Sequence, residues 1–415
     1  MEKSPPKGLM LSDLSCIFAM SELAYIVDWQ VLIQVTSLTL SSLGNGFFIK
    51  AFHFLAGYRS AEFRCLMKIV IAPDSYKECL SADEVASAMA FAVRELCPDA
   101  EVLEIPLADG GEGTLAVLAR ALGADIFNAE VPDPIGRKVK ASFGVVGETA
   151  VVEVAQACGL SLLLPEERNP LIASTRGLGE LIMAARAAGC RHFIVGLGGS
   201  ATCDGGAGML SVCGVKDVLA ESSFELLCDV DAPFVGPDGA TMVFAPQKGA
   251  SIPDLEILEN RMISLAGKIC EETGLDISGI KGAGAAGGLG GAFIAYAGAK
   301  IVSGAEKVMS LVGFDDALNG ADLIITGEGK SDLQTLGGKV PYGVLRHSAG
   351  CRVALVSGAV EHGAIACLER PVFTTLVRLP HRKWLWMRHL IRTEQGLILR
   401  TLCAGCWIAS DSEGE

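Results

Sequence analysis

The sequence predicts an α/β protein built around parallel sheets. Short apolar runs of strand length alternate with longer segments of helical periodicity, which is the pattern of repeated strand–helix units. Glycine-rich turns separate them, and the 49 glycines outnumber the 16 prolines without a G-X-Y period. With 415 residues, half of them hydrophobic, the chain can bury the cores of two or three domains.

The composition narrows the range of partners. A formal net charge of −14 disfavours nucleic acid and anionic membranes as partners of the whole chain. No uninterrupted apolar stretch reaches the ~18 residues of a membrane-spanning helix. The 14 cysteines do not form the two C-x-x-C pairs of a zinc site, and we interpret them as thiols of a reducing compartment. We therefore expect a cytoplasmic protein that binds small molecules.

The regular pattern begins at Met67. Residues 1–66 have acidic residues inside their apolar blocks, so they match neither a signal peptide nor a mitochondrial presequence. The apolar run 68–73 predicts a buried strand, and the loop after it carries Asp74, Ser75 and Lys77. Ser81 and Glu84 then have the spacing of a capping box, which predicts a helix that ends near Leu96.

A second predicted strand, 102–105, is followed by a glycine-rich loop with Asp109 and Glu112 and by a helix over 115–122. Ligands of parallel sheets bind beyond the carboxyl ends of the strands. These two loops are therefore expected to face one site. Alternating residues in 139–146 and 149–154 then predict a hairpin, which is interpreted as the start of an inserted domain.

The centre of the chain is a third loop of this kind. A predicted strand over 192–197 precedes the turn 198–208, which contains Ser200, Thr202 and the carboxylate of Asp204. Glycines let backbone N–H groups approach an oxyanion, and a helix N-terminus adds partial positive charge. The alternative is an ordinary strand-to-helix turn in which Asp204 accepts backbone hydrogen bonds.

Further polar positions follow in the second half. Residues 226–231 predict a strand that ends in two carboxylates, Asp229 and Asp231, and Lys248 lies in a later loop. Helices are predicted over 254–273 and over 292–297, the second after the glycine run 281–291. Residues 322–332 predict a strand with a polar glycine loop that carries Glu328 and Lys330, and 353–358 is the last clear strand. The basic, aromatic segment after Cys367 is interpreted as a solvated tail.

Several of these loops combine glycines with a hydroxyl, a carboxylate or a lysine, and phosphoryl transfer requires this set of groups. Backbone N–H groups and lysines hold phosphates, and carboxylates hold Mg²⁺ and orient the attacking hydroxyl. The P-loop, nucleophile-elbow and H-E-x-x-H patterns do not occur in the sequence. The string 282–287 matches G-x-G-x-x-G but lacks the strand before it, so an NAD-dependent dehydrogenase stays a weaker alternative.

From Met67 to about Gly358, the sequence closely resembles bacterial-type glycerate kinase, the single-chain type-1 family. The resemblance rests on seven segments: 71–77, 108–114, 198–208, 228–230, 246–250, 282–288 and 325–329. It implies two α/β domains with the active site in the cleft between them. One domain is Rossmann- or flavodoxin-like and discontinuous, at 67–126 and 295–366, and the other is inserted at 127–294. Residues 1–66 are then an extension, and 367–415 an atypical tail.

The family carries out ATP- and Mg²⁺-dependent phosphorylation of D-glycerate, so the resemblance implies this activity here, with 2-phosphoglycerate as the expected product. A homodimer is one option for the assembly. The carried-over roles divide the matching positions into three sets. Asp204, Asp229 and Lys77 are the catalytic candidates: Asp204 is the first choice for orienting the glycerate hydroxyl, and Asp229 is the second choice or the metal ligand. Asp74, Ser75, Asp109, Glu112, Ser200 and Thr202 are the glycerate candidates. Lys248, Gly282, Gly284, Gly287, Gly288, Glu328 and Lys330 are the nucleotide and phosphate candidates.

The sequence also departs from the family pattern. Cys203 stands where Asn is usual, and a thiol donates hydrogen bonds only weakly. Lys330 stands where Arg is usual, which replaces a planar fork by a point charge. The connection 214–228 is short. A second hypothesis is therefore a relative that keeps the fold and the ligand but is catalytically impaired.

Overall fold

The computed structural model describes residues 67–77, 79–361, 363–368, 373 and 375–378. Predictions for residues 1–66 and for most of the tail lie outside these residues. Within them the protein is α/β, as predicted, and contains two sheets. None of the helices in this part of the chain is long and apolar enough to cross a bilayer.

The first sheet is parallel and draws its strands from both ends of the described chain. Its strands, in spatial order, are β11 (Thr375–Arg378), β10 (Arg352–Val360), β9 (Leu323–Ser331), β1 (Lys68–Ile71) and β2 (Glu101–Glu104). Strand β9 is the middle strand, and β1 lies between β9 and β2, so that Ile71 stands between Glu104 of β2 and Ile325 of β9. Strand β11 lies in the segment where the sequence pattern predicted no strand.

The second sheet is mixed and is continuous in sequence. Its strands, in spatial order, are β3 (Asp125–Pro132), β4 (Lys138–Val146), β5 (Thr149–Glu153), β6 (His192–Gly196), β7 (Ser223–Leu227) and β8 (Lys300–Val302). Strands β3 to β5 are antiparallel, as the predicted hairpin requires, and β5 to β8 are parallel.

Thirteen α-helices connect these strands in the described residues. They are α1 (Ala82–Leu96), α2 (Thr114–Leu122), α3 (Val154–Cys158), α4 (Arg176–Ala187), α5 (Ala207–Leu210), α6 (Val215–Glu221), α7 (Ala240–Phe244), α8 (Ile252–Thr273), α9 (Ala285–Ala297), α10 (Gly304–Leu311), α11 (Phe314–Leu318), α12 (Val340–His347) and α13 (Ile365–Leu368). Helix α1 begins with the predicted capping box, in which Ser81 and Glu84 satisfy each other's backbone N–H groups.

The two sheets share apolar core. Alternate residues of a strand point to opposite faces. In β5, Ala150 and Val152 join the core of the second sheet, whereas Val151 packs in a cluster with Val70 of β1 and Leu118 of α2. Each buried side chain of this size contributes about 1.5–3 kcal/mol. This cluster contains residues from both predicted domains. The domain boundaries therefore remain a prediction.

Two predictions about loops are wrong. The segment 326–331 continues β9 instead of forming a polar loop, because Gly327 lets the strand pass close to Val356 and to the Tyr76 hydroxyl. The glycine run is also not an open loop. Helix α9 begins inside it, at Ala285, and Ala286, Gly287 and Gly288 kink it with positive φ angles.

Candidate active site

Polar side chains gather at the carboxyl edge of the first sheet, around a cavity of ≈ 440 Å³. Asp74 follows β1, Asp109 follows β2, and Glu328 lies in β9 where that strand extends past β1. The cavity is lined by Asp74, Ser75, Lys77, Asp109, Glu328, Gly329, Lys330, Asp332, Lys339, Gly358 and Ala359. The parallel topology thus brings together residues from three distant parts of the chain, as the sequence predicts for ligand-binding loops.

Asp74 is a buried carboxylate beside a second carboxylate. Its side chain accepts a hydrogen bond from the Ser75 N–H at 2.7 Å, and only 5% of the residue is exposed. Burial, and next the negative charge of Asp109, raise the pKa of Asp74 well above its ordinary value. Lys77 opposes this shift. Folding therefore disfavours the charged form of Asp74 in the protein without ligand.

Lys77 is the cation closest to these carboxylates. Its Nζ lies 4.0 Å from Asp109 Oδ2, and the charge of Asp109 is the largest cause of a raised pKa at Lys77. Glu112 adds a smaller contribution of the same sign, which places this exposed residue near the lysine although it does not line the cavity. Lys77 is thus a charged and exposed group that can contact an anion.

Glu328 belongs to a network that the sequence prediction did not include. The hydroxyls of Ser331 and Thr335 donate to Glu328 Oε1 at 2.8 and 2.6 Å. Lys339 Nζ lies 3.7 Å from Glu328 and 3.2 Å from Asp332. Burial raises the pKa of Glu328, and Thr335 and Lys339 limit the shift.

Lys339 and Asp332 line the cavity without having been predicted as site residues. Lys339 immediately precedes helix α12, and no predicted strand ends beside it. The pair Gly337-Gly338 directly before it was the available signal. Lys330, which was predicted, also lines the cavity and pairs weakly with Glu361 at 4.0 Å.

Asp229 borders this group from the second sheet, next to Asp109 but outside the lining of the cavity. It follows β7, and its Oδ1 accepts a hydrogen bond from the Gly304 N–H at the start of α10, at 3.2 Å. A Cβ placed on Gly338 would lie 3.7 Å from Asp229 Cβ, so the segment before Lys339 contacts it. Surrounding protein atoms and the charge of Asp109 raise the pKa of Asp229, although its side chain reaches water.

The loop with Asp109 connects the two sheets. The carbonyl of Gly110 accepts a hydrogen bond from the Gly198 N–H at 3.0 Å. A Cβ on Gly110 would lie 2.7 Å from the Leu227 carbonyl, and its φ is +89°, so only glycine fits there. The loop after β2 is therefore docked onto the carboxyl ends of β6 and β7.

Asp204 has the surroundings of a turn acceptor. Its Oδ2 accepts hydrogen bonds from the N–H and the hydroxyl of Thr175, both at 2.9 Å, and from the Gly208 N–H at 3.0 Å. Its Oδ1 accepts from the Gly206 N–H at 3.1 Å. Both oxygens are thus used inside the protein, and Asp204 does not line the cavity. This geometry favours the alternative stated for Asp204 in the sequence analysis.

Lys248 is buried and holds the same turn. Its Nζ donates to Ser200 Oγ at 2.8 Å and to the Thr202 carbonyl at 2.7 Å, and 3% of the residue is exposed. Burial lowers the pKa of Lys248 to about 8. Ser200, Thr202, Asp204 and Lys248 therefore form a second group, which adjoins the first through the contact between Gly198 and Gly111.

The predicted nucleotide glycines lie in protein interior. A Cβ on Gly284 would meet the Pro233 carbonyl at 2.2 Å, and one on Gly287 would meet the Thr202 carbonyl at 2.0 Å. Gly282 and Gly288 are likewise crowded, by Ile301 and by Met262 and Gly205. Close packing thus accounts for all four glycines, and it leaves the G-x-G-x-x-G string without the open turn of a dinucleotide site.

Comparison with known proteins identifies the family. The sequence model of the glycerate kinase family matches residues 69–219 and 213–393. Glycerate 2-kinase of Escherichia coli K12 is 43% identical over 309 residues, which cover 67% of this chain and 81% of that protein. Glycerate kinase of Bacillus subtilis 168 is 41% identical over 338 residues, 74% of this chain and 88% of that protein.

The similarity extends to structure. A crystal structure assigned to glycerate kinase 2 of Salmonella typhimurium LT2 matches with a TM-score of 0.66 at 36% identity, over 81% of this chain and 98% of that one. The two segments of the family match meet at residues 213–219, where the resemblance indicated a short connection. The chain therefore belongs to the glycerate kinase family, as its sequence motifs predicted.

Proposed function

We propose that this enzyme transfers the γ-phosphoryl group of ATP to D-glycerate, with Mg²⁺, and that the product is 2-phosphoglycerate. The observation that carries the proposal is the cavity at the edge of the first sheet. Its volume lies within the range of small-molecule sites, and four carboxylates and three lysines line it. The name of the E. coli relative, glycerate 2-kinase, supports the choice of the 2-hydroxyl.

The carboxylates fit a magnesium ion. No group of three His, Cys, Asp or Glu side chains in the described residues could hold a metal alone. Mg²⁺ commonly takes one or two carboxylates together with substrate phosphates and water. Asp74 and Asp109 would supply these carboxylates, because a cation would relieve the repulsion that raises the pKa of Asp74. When bound, Mg²⁺ neutralises charge on the phosphates.

The lysines would hold the phosphate oxygens. Lys77, Lys330 and Lys339 line one cavity and present three cationic groups to an anion. Lys339 would exchange its contacts with Asp332 and Glu328 for contacts with the phosphates. Because the transition state of phosphoryl transfer needs positioning and charge stabilisation, these lysines account for much of the expected rate.

Asp229 would accept the proton. The hydroxyl oxygen of glycerate attacks the γ-phosphorus, a new O–P bond forms, and the bond to the leaving ADP oxygen breaks. The hydroxyl proton passes to Asp229, whose raised pKa suits a proton acceptor. Asp204, whose oxygens are occupied, would shape the adjoining turn together with Lys248, Ser200 and Thr202.

Turnover of the purified full chain tests the proposal. ADP release is measured with ATP, Mg²⁺ and D-glycerate, and ³¹P NMR identifies the phosphorylated position. We expect ADP release that depends on all three components and a 2-phosphoglycerate signal. A 3-phosphoglycerate signal would contradict the assigned hydroxyl, and the absence of ADP release from folded protein would contradict the activity.

A ligand-binding relative without turnover is the second candidate. The division of the family match at residues 213–219 and the short connection through α6 favour it. In this case ATP with Mg²⁺ would raise the melting temperature, because ligands stabilise the state that they bind, but ADP would not be released.

A further inference from the structure

Glu153 is a buried carboxylate that the proposed reaction does not use directly. It ends strand β5, and only 2% of the residue is exposed. Gln156 Nε2 donates to its Oε2 at 3.3 Å. In the described part of the chain no lysine or arginine forms an ion pair with Glu153, and burial raises its pKa. A buried carboxylate without a cationic partner is costly unless other donors stabilise it, so its role needs an explanation.

The main donor comes from the start of helix α2. The Leu115 N–H donates to Glu153 Oε1 at 2.5 Å, and the nearby Gly113 backbone also favours the charged carboxylate by lowering its pKa. Helix α2 has no side-chain cap of its own, since Gly113 is its N-cap, and its first turn contains no acidic residue. Glu153 therefore supplies from the second sheet the acceptor that an N-cap side chain normally provides.

The contact between Glu153 and the start of helix α2 is next to the loop that carries Asp109. A Cβ on Gly196 would lie 3.8 Å from Glu153 Cγ and 2.7 Å from the Gly110 carbonyl, so the side chain and the loop pack over the same glycine. Asp109 in turn affects the pKa of Asp74, Lys77 and Asp229. A loosened loop would change the distances among these groups.

We propose that Glu153 is a positioning residue for phosphoryl transfer: it caps helix α2 from the second sheet and thereby fixes Asp109 in the cavity. The inference rests on the proposed function for its kinetic consequence. Its structural part, the fixing of residues 109–115, is independent of turnover.

Three substitutions distinguish the hydrogen-bond acceptor that caps helix α2 from the negative charge of Glu153. E153A removes the acceptor, E153D keeps the charge but shortens the reach to Leu115, and E153Q keeps an acceptor of full length. We expect kcat to fall roughly 10- to 100-fold in E153A and E153D, with a smaller change in KM for D-glycerate, as for misplaced catalytic groups. E153Q is expected to stay close to wild type.

Asp133 provides a matched control. It is also 2% exposed, and it accepts hydrogen bonds from the Ile135 and Arg137 N–H groups, both at 2.9 Å, in the turn between β3 and β4. D133A should lower stability but keep kcat, measured at the same folded fraction. A fall in kcat equal to that of E153A would overturn the specific role of Glu153.

A double-mutant cycle with D109N tests whether Glu153 acts through Asp109. We expect E153A to cost much less in a D109N background than in wild type, because the positioned group is already altered. Equal costs in both backgrounds would overturn the proposal. If E153A does not fold, E153D replaces it, and wild-type kcat in folded E153D would likewise overturn the proposal.

Hydrogen exchange measures the same effect without turnover. Amides of 109–115 should exchange faster in E153D than in wild type, while those of β6 keep their protection. Absent turnover in the wild type would contradict the proposed function alone, and the exchange data would still decide on Glu153. Unchanged protection of 109–115 would overturn the inference.

Discussion

At the scale of single residues, the buried carboxylate of Asp74 lowers the free energy of unfolding of the ligand-free protein. Its pKa in the folded protein is raised, first by burial and then by Asp109, above the value of about 3.9 expected in the unfolded chain. The folded state thus holds the proton more tightly, and its stability falls as the pH rises from about 4 through the folded pKa.

We therefore predict that D74N stabilises the ligand-free protein at pH 7 and abolishes most of its turnover. Asn keeps an oxygen for the Ser75 N–H but carries no charge. Urea denaturation at pH 7 and at pH 5 measures the effect, and the gain should shrink at the lower pH. A D74N variant less stable than wild type at pH 7 would contradict the assigned electrostatics.

Residue positions could be predicted better than residue roles. Asp74, Lys77, Asp109 and Glu328 were placed at one site because each follows, or lies near, the end of a predicted parallel strand. The sequence left two roles open for Asp204, and it could not decide between them because two of its four donors come from Thr175, 29 positions earlier. Lys339 was missed because its place in the cavity depends on how the segment after β9 folds back.

At the scale of elements, the kink in α9 depends on glycine. Gly287 has a φ of +69°, and a Cβ there would lie 2.0 Å from the Thr202 carbonyl. Gly267, inside helix α8, has open space in front of it. Glycine is therefore required at 287 by the close backbone contact with Thr202, whereas at 267 only helix propensity distinguishes glycine from alanine.

We predict opposite effects of the same substitution at these two positions. G267A should stabilise the protein by about 0.5–1 kcal/mol, because alanine has the higher helix propensity. G287A should destabilise it by more than about 2 kcal/mol, since both backbone and packing are strained. Thermal denaturation monitored by circular dichroism measures both changes, and a neutral G287A would show that the kink is not needed.

Elements with a strong local signal were predicted, and short ones were not. The capping box of α1 and the hairpin of β4 and β5 are set by neighbouring residues, so the sequence pattern was sufficient. Strand β8 has three residues and depends on its pairing with β7. Helix α10 has eight residues and begins where Gly304 packs against the Asp109 carbonyl and donates to Asp229. Local periodicity does not contain that information.

At the scale of the whole molecule, His347 joins helices that reach the site. On α12, its Nε2 contacts Glu306 of α10 at 2.8 Å, and its Nδ1 contacts Asp315 of α11 at 2.5 Å. Burial alone would lower its pKa, but hydrogen bonds and charge from both carboxylates outweigh it, so the pKa is raised. This stabilisation is complete below the unfolded pKa of about 6.5 and is lost as the pH rises through the folded pKa.

We predict that H347Q lowers the free energy of unfolding at pH 6 and has a much smaller effect at pH 9. Urea denaturation of both proteins at the two pH values measures this difference. H192Q serves as the control, since the imidazole of His192 contacts the Ser223 hydroxyl and no carboxylate among the hydrogen bonds and ion pairs of the described residues. A loss of stability in H347Q that does not depend on pH would rule out an ionic role.

The pairing of β1 with β9 affects how the chain folds during translation. Thr326 donates to the carbonyl of Ala72, 254 positions earlier, so the middle of the first sheet joins distant segments. Strands β3 to β8 all leave the ribosome before β9 does. During most of translation Ile69 to Ile71 can therefore pair with β2 but not with β9, and an unpaired edge of an apolar strand exposes the nascent chain to aggregation.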